Sequence, residues 1–199
     1  MSHSLAILQQ RYRLIVFVGI FFAVVAAVVV LVMPRSYRAD AEVLIIAKNR
    51  YGVDPYTTVR SAERVGENVV QIMKTSDFLR KVRREEGYLI DWKSFDHAQE
   101  YKKRRLWEKT IHSSVILGTG VLSVSAYHPD PVQAKELAGA AIAALVNQGW
   151  QYVGSDVEMK VINEPVLTNW PVRPNIFLYT LGAFIIGVLS SAMIVVRRG

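Results

Sequence analysis

The sequence contains no cysteine among its 199 residues. A disulfide framework, a thiolate metal site and a cysteine nucleophile are therefore excluded. The lack of thiols is compatible with a compartment outside the cytoplasm, but it does not select one. The sequence also lacks the common catalytic motifs, since it has no HExxH, GxSxG, P-loop or GxGxxG pattern.

Candidate catalytic and metal-binding side chains are scarce. The four histidines, His3, His97, His112 and His128, do not occur in pairs at metal-ligand spacing. His112 and His128 bracket a predicted hairpin, and we expect them to face each other across it as structural residues. We therefore predict that the protein is not an enzyme and has no catalytic residue, no cofactor-binding residue and no metal site.

Two long runs lack charged residues. Leu14 to Met33 is an apolar run of 20 residues, and Ile176 to Val196 is one of 21. At about 1.5 Å per residue each run spans a hydrocarbon core of about 30 Å. The first run is longer than a signal-peptide core and ends in Met-Pro-Arg rather than a small-residue cleavage site. The sequence predicts uncleaved transmembrane helices at 14–33 and 176–196.

Acidic residues are absent from both tails. Residues 1–13 and 197–199 hold four of the 24 basic residues and none of the 17 acidic ones. The positive-inside rule therefore places both tails in the cytoplasm and residues 34–175 outside it, at the cytoplasmic (inner) membrane. The net charge of +7 is explained by the membrane flanks and a mildly basic domain, so we predict no nucleic-acid partner.

Small residues recur every four positions in both apolar runs. This spacing lets helix backbones approach closely in lipid, which predicts packing within or between protomers. The alternative is that runs rich in valine, alanine and glycine produce the pattern by composition alone. The residues are Gly19, Ala23 and Ala27 in the first run and Ala183, Gly187 and Ser191 in the second.

Residues 34–175 show alternating and helical periodicities. Alternation predicts strands at 38–45 and 157–163 and a hairpin over 112–128 that turns at Gly118-Thr119-Gly120. Helical spacing predicts helices at 61–73, 78–86, 97–110 and 132–152, with a loop over 48–60. Strands in pairs between helices predict an α+β fold. We expect one small extracytoplasmic domain with a mixed sheet, packed helices on one side, and a transmembrane helix at each end.

A proline-rich connector covers residues 165–174. Pro165, Pro171 and Pro174 each remove a backbone donor and favour extended geometry in the preceding residue. We expect a stiff, non-helical connector that brings the last strand beside the first one and leads to a helix beginning near Asn175.

A basic run occupies the third predicted helix. Lys102, Lys103, Arg104 and Arg105 are a candidate contact for an anionic glycan or a lipid phosphate. The alternative is a solvated helix face whose charge is balanced by Glu100 and Glu108.

Four segments, in order, resemble the Wzz-type chain-length determinants, the polysaccharide co-polymerase family. The segments are SYRADAEVLI, IMKTSDFLRKVRREEGYL, LSVSAYHPDPVQAKELAGAAIAALVNQ and EPVLTNWPVRPN. The chain resembles a minimal member without a long helical arm or a fused kinase domain. The residues that the matching motifs mark as structural are Tyr37, Ala39, Ser76, Pro131, Ala134, Pro165, Pro171, Pro174 and Asn175.

The resemblance implies a non-enzymatic, ring-forming membrane protein that regulates the chain length or export of a cell-surface polysaccharide: O-antigen (lipopolysaccharide), capsule or exopolysaccharide. Its implied partners are further copies of itself, a polysaccharide polymerase or synthase, the nascent glycan and membrane lipid. Two alternatives stay open: a transmembrane activator of a separate cytoplasmic tyrosine kinase, and a membrane sensor whose domain binds a ligand.

Overall fold

A computed structural model describes residues 11–47, 55–154 and 156–198. The chain divides into two compact units: the first lies within residues 1–35 and 173–199, and the second within residues 36–172. Most of the predicted N-terminal tail and of the predicted 48–60 loop lies outside the described residues. The helices are α1 (Tyr12–Val32), α2 (Pro55–Met73), α3 (Ser76–Arg84), α4 (Lys93–Asp96), α5 (Glu100–Thr110), α6 (Pro131–Gln148), α7 (Trp150–Val153) and α8 (Ile176–Arg198). The strands are β1 (Tyr37–Ala47), β2 (Ile111–Ile116), β3 (Val121–His128) and β4 (Val157–Leu167).

The first unit is a pair of apolar helices, α1 and α8. Both are long and apolar enough to cross a membrane, judged by length and composition. Their outward side chains are large and apolar, for example Phe17 and Leu189. Such a surface is favourable in lipid and costly in water, because apolar area exposed to water costs roughly 25 cal/mol per Å².

The second unit is built on a four-stranded sheet with the order β2-β3-β1-β4. All three pairings are antiparallel. The α+β class is confirmed, whereas the expected mixed pairing is wrong. The reason is the position of β1. Strands β3 and β4 are joined through α6 and run in the same direction, but β1 lies between them, so no parallel pair forms.

The sheet buries one of its faces. In β1 the side chains of Ala39, Ala41, Val43 and Ile45 are buried, and the alternate ones are partly or fully exposed. The same alternation gives buried Leu122, Val124 and Ala126 in β3. The long helix α6 packs on this face through a run of alanines. Small side chains let the helix axis approach the sheet closely, so the core sits between α6, α2 and the sheet.

A second part of the core surrounds Trp107 of α5. The indole Nε1 donates a hydrogen bond to the carbonyl oxygen of Met73 at 2.7 Å, and the side chain is only 1% exposed. Phe78 and Phe95 contact the indole with ring centroids 6.4 Å away in both cases. These contacts fix α5 on the domain by one face only.

Several element boundaries differ from the sequence predictions. Helix α2 begins at Pro55, six residues before the predicted start, because proline is tolerated in the first turn of a helix. Strand β4 extends to Leu167 and includes Pro165, which an edge strand permits because one side needs no donor. The predicted helix over 132–152 ends at Gln148, and a separate turn follows at Trp150–Val153.

The hairpin has the predicted glycine turn. Gly118 and Gly120 have φ angles of +77° and +65°, conformations that side chains with a Cβ rarely adopt. The expected histidine pair across the hairpin is wrong, since His112 lies opposite Ser125 in the register. The His112 ring instead contacts Tyr127, with centroids 5.1 Å apart.

Candidate functional site

The start of β1 meets the connector. The amide of Thr168 donates to the carbonyl oxygen of Arg38 at 2.8 Å, and the amide of Val172 donates to that of Ser36 at 2.9 Å. The motif residue Tyr37 is half-buried, and Ala39 is fully buried between its partners in β3 and β4. The entry and exit of the second unit are therefore joined by backbone hydrogen bonds.

The motif prolines fall into different settings. Pro165 lies in β4 where Glu164 and Pro165 together oppose Ala41, a bulge in the pairing with β1. Pro171 is half-buried in the connector. Pro174 belongs to the helical unit, and Asn175 after it caps α8 because its Oδ1 accepts from the amide of Leu178 at 3.2 Å.

The remaining motif residues form helix starts. Ser76 is the first residue of α3, but the cap is Thr75, whose Oγ1 accepts from the amide of Phe78 at 3.2 Å. Pro131 begins α6 after Asp130, whose Oδ1 accepts from the amide of Val132 at 2.8 Å. Ala134, one turn on, is fully buried against the sheet. Both helix starts use short polar caps to satisfy amides that have no partner within the helix.

A polar cluster that the sequence does not predict joins α3 to α6 and α7. The Tyr152 hydroxyl donates to Asp77, and the Lys81 ammonium donates to Gln151. The Lys81 nitrogen also lies 4.8 Å from the centroid of the Tyr152 ring, a cation–π geometry. Glu85 accepts from Gln148 at 2.7 Å and from Asn147 at 2.9 Å. No local motif marks these residues, because their partners lie more than 60 positions away along the chain.

The cluster shifts two pKa values in opposite directions. The hydrogen bond from Tyr152 lowers the pKa of the Asp77 carboxyl, against a smaller opposing effect of burial. Burial, followed by the Asp77 carboxylate, raises the pKa of the Tyr152 phenol. Both shifts favour the same arrangement, in which a protonated phenol donates to an ionised carboxylate.

The four residues of the basic run lie on different flanks of helix α5. Lys103 pairs with Glu100 at 2.9 Å, and Arg104 with Glu108 at 3.4 Å. Lys102 and Arg105 lie on the other flank with Lys109, where Ala98, Tyr101 and Leu106 complete a shallow groove of about 420 Å³. The four consecutive cations therefore do not form one patch.

The small residues of the two apolar helices share one side of each helix. Gly19, Gly187 and Ser191 are buried, and Ala23, Ala27 and Ala183 are half-buried. A Cβ atom on Gly19 would lie 2.6 Å from Cγ2 of Val188. Ser191 directs its hydroxyl to the carbonyl oxygen of Val188 at 3.0 Å. Gly19 and Gly187 therefore lie where α1 and α8 approach each other closely.

In the described parts of the chain, no group of three or more histidine, aspartate or glutamate side chains is placed to hold a metal ion. An antiparallel α+β domain with one long apolar helix before it and one after it in the sequence is typical of the class of membrane-anchored domain proteins.

The N-terminal part of this chain is similar to a known protein family. Residues 3–86 match the family model described as Wzz, chain length determinant protein. The matched region runs from the first apolar helix through β1 and α2 to the end of α3, and it confirms the resemblance to Wzz-type proteins. The match covers 84 of the 199 residues and includes the first of the two apolar helices. No curated protein matches the chain.

Proposed function

We propose that this protein is a ring-forming polysaccharide co-polymerase, anchored in the inner membrane, which regulates the chain length or export of a cell-surface polysaccharide together with a polymerase. The polysaccharide would be an O-antigen, a capsule or an exopolysaccharide. The match of residues 3–86 to the chain-length determinant family carries this proposal. The protein would act by positioning the polymerase or the nascent glycan rather than by catalysis.

The proposed topology has both ends in the cytoplasm and residues 34–175 outside the membrane. Arg11 precedes α1, Arg13 lies in its first turn, and Arg197 and Arg198 end α8, so both ends carry the positive charge that is retained on the cytoplasmic side. The domain would then meet the glycan on the side of the membrane where surface polysaccharides are extended.

The proposed ring is supported by the two edges of the sheet. Strands β2 and β4 are the edges, on opposite sides of β3 and β1. Contact between two different edges is heterologous and closes into a ring when the rotation per protomer allows it. On the β4 side, Val161, Ile162 and Val166 are exposed, and a groove of about 450 Å³ runs beside Ile142 and Val146 of α6. We propose a second copy of this chain as the occupant of that apolar surface.

The role is tested in the native host by deleting the gene and resolving the surface polysaccharide by length on a gel. We expect the modal length to be lost and to return when the wild-type chain is supplied. An unchanged length distribution in the deletion strain would overturn the proposed function.

The assembly is tested separately by extracting the full chain into native nanodiscs and measuring its mass. We expect a homo-oligomer. The variant Val161→Glu/Val166→Glu should shift it towards the monomer, because it places two carboxylates on the proposed interface. The control Val161→Leu/Val166→Leu changes the same two positions without adding charge and should leave the oligomer intact. A monomeric wild-type chain would contradict the ring.

A further inference from the structure

The cations of helix α5 differ in whether they form an ion pair with a carboxylate. Lys103 and Arg104 have carboxylate partners within the same helix, Glu100 and Glu108. Among the described residues, Lys102, Arg105 and Lys109 form no ion pair; the guanidinium of Arg105 reaches only the Tyr101 hydroxyl, at 3.5 Å. One flank of the helix is therefore close to neutral, and the other carries three positive charges without a carboxylate to balance them.

The unpaired cations form a row along the helix. Positions 102, 105 and 109 follow the three- and four-residue spacing of one helix face. Seven residues correspond to about 10 Å of helix length. Tyr101, which is 70% exposed, and Leu106 lie within the same groove. The row therefore combines charge with an exposed aromatic ring and an apolar side chain.

The orientation of this row is set by the core. Trp107 points into the domain and is held by its hydrogen bond to Met73, so the residues on the opposite side of α5 must face solvent. Rotation of α5 about its axis would expose the buried indole and break its hydrogen bond to Met73. The row is thus a fixed feature of the fold rather than one arrangement of a loose helix.

We propose that Lys102, Arg105 and Lys109 bind an acidic stretch of a linear polysaccharide, with carboxylate or phosphate groups on the cations and the sugar rings against Tyr101. This inference rests on the proposed function, which places a surface glycan beside the domain. A row of separated charges suits a linear polyanion, whose charges repeat along one direction. Insertion into a membrane surface needs a continuous apolar face. Among the described residues of α5, Leu106 is the only exposed aliphatic side chain. The row therefore does not suit such insertion.

The test uses the full chain in phosphatidylcholine nanodiscs and measures binding of polygalacturonate, with uncharged dextran as the reference polymer. The wild-type chain should bind polygalacturonate and not dextran, and the binding should weaken as salt rises because exposed charges are screened. Equal binding of both polymers, or no binding of either, would overturn the proposal.

Two matched variants locate the site. Lys102→Gln/Arg105→Gln and Lys103→Gln/Arg104→Gln each remove one lysine and one arginine from the same helix. The first should weaken binding by roughly tenfold or more, about 1.4 kcal/mol, and the second by less than about threefold. An equal loss in both variants would overturn the proposal, since it would show a response to net charge alone. Thermal unfolding verifies that both variants fold; if the first does not, Lys109→Gln replaces it with the same expected direction.

A final arm separates glycan from lipid. The nanodisc-held chain is mixed with vesicles of phosphatidylcholine and phosphatidylglycerol, and co-flotation is measured. Flotation that depends on Lys102 and Arg105, without polygalacturonate binding, would overturn the glycan assignment in favour of a lipid surface. If the chain does not bind polygalacturonate but the deletion strain shows an altered glycan length, only this inference is overturned. If the glycan length in the deletion strain is unaltered, the proposed function is overturned.

Discussion

Gly19 and Gly187 face each other across the two apolar helices. A Cβ atom on Gly187 would lie 3.1 Å from the Cα atom of Gly19 and 3.0 Å from the Cβ atom of Phe22. Such distances are shorter than ordinary van der Waals contact between carbon atoms. The absence of a side chain at both positions is therefore what allows the helix backbones to approach this closely.

This contact predicts a specific cross-link within one chain. The protein has no cysteine, so an introduced pair reports without background. Phe22→Cys/Gly187→Cys should form a disulfide on mild oxidation, because the two Cβ positions are close to the roughly 3.5–4.5 Å that disulfides span. Mass spectrometry of peptides from the monomer band detects the linkage.

The matched control for the cross-link is Phe22→Cys/Leu189→Cys, since Leu189 lies on the exposed side of α8. This pair should not link within a chain. Equal yields from the two pairs would contradict the assigned helix faces. Mixing chains that carry two different tags distinguishes a link within one chain from a link between chains.

The Tyr152 hydroxyl contributes to stability through Asp77. Tyr152→Phe removes the donor and leaves the ring. It should lower the unfolding free energy by about 0.5–1.5 kcal/mol, because the Asp77 side chain is 48% exposed and solvent weakens the bond. That loss corresponds to a decrease in Tm of roughly 1–6 °C for a chain of this size. Thermal unfolding of the full chain in nanodiscs measures it. Tyr101→Phe, at an exposed position of α5, serves as the control and should change Tm little.

The same bond predicts a dependence on acid pH. The pKa of Asp77 is lower in the folded state than in the unfolded state, so its contribution is complete above the unfolded value of about 4. The contribution is lost as the pH falls from there through the folded pKa. Asp77→Asn should therefore be less stable than the wild type at neutral pH, and the difference should shrink below about pH 4. A constant difference across that range would show that the carboxylate charge is not the cause.

Trp107 should be far more sensitive to truncation than Trp170. Trp107→Phe creates a cavity in the core and removes the hydrogen-bond donor of the Met73 carbonyl, and we expect a loss of about 2–4 kcal/mol. Trp170 is 80% exposed, so Trp170→Phe should stay within about 0.5 kcal/mol of the wild type. Thermal unfolding of the two variants side by side provides the measurement. Similar losses in both would contradict the core assigned around α5.

Local patterns were sufficient for most of the secondary structure. The alternation in β3, the glycine turn before it and the Asp130–Pro131 helix start are each determined within a few residues, so the sequence predicts them. The start of α2 was missed because Pro55 reads as a breaker, although it is tolerated in a first turn. The full length of β4 was missed because Pro165 is compatible with a strand only at an edge or a bulge, and neither is visible before the sheet is assembled.

The candidate surfaces were predictable as lists of residues but not as arrangements. The run from Lys102 to Arg105 is visible in the sequence, yet its division depends on which side of α5 faces the core. Trp107 decides that orientation through Phe78, Phe95 and Met73, which are remote in sequence or belong to other helices. No sequence pattern predicts the contact between Asp77 and Tyr152, because the two residues are 75 positions apart along the chain.

The two apolar helices, the α+β class and the positions of the tight turns follow from the composition or periodicity of single short stretches, so the sequence predicts them. Three features become visible only in the folded chain: the insertion of β1 between β3 and β4, the division of the cations on α5, and the contact between Gly19 and Gly187. The two groups of features differ in how far apart along the chain the interacting residues lie. Periodicity and capping act within a few residues, whereas strand order, charge pairing and close approach depend on free energies shared by segments that meet only after the chain has folded.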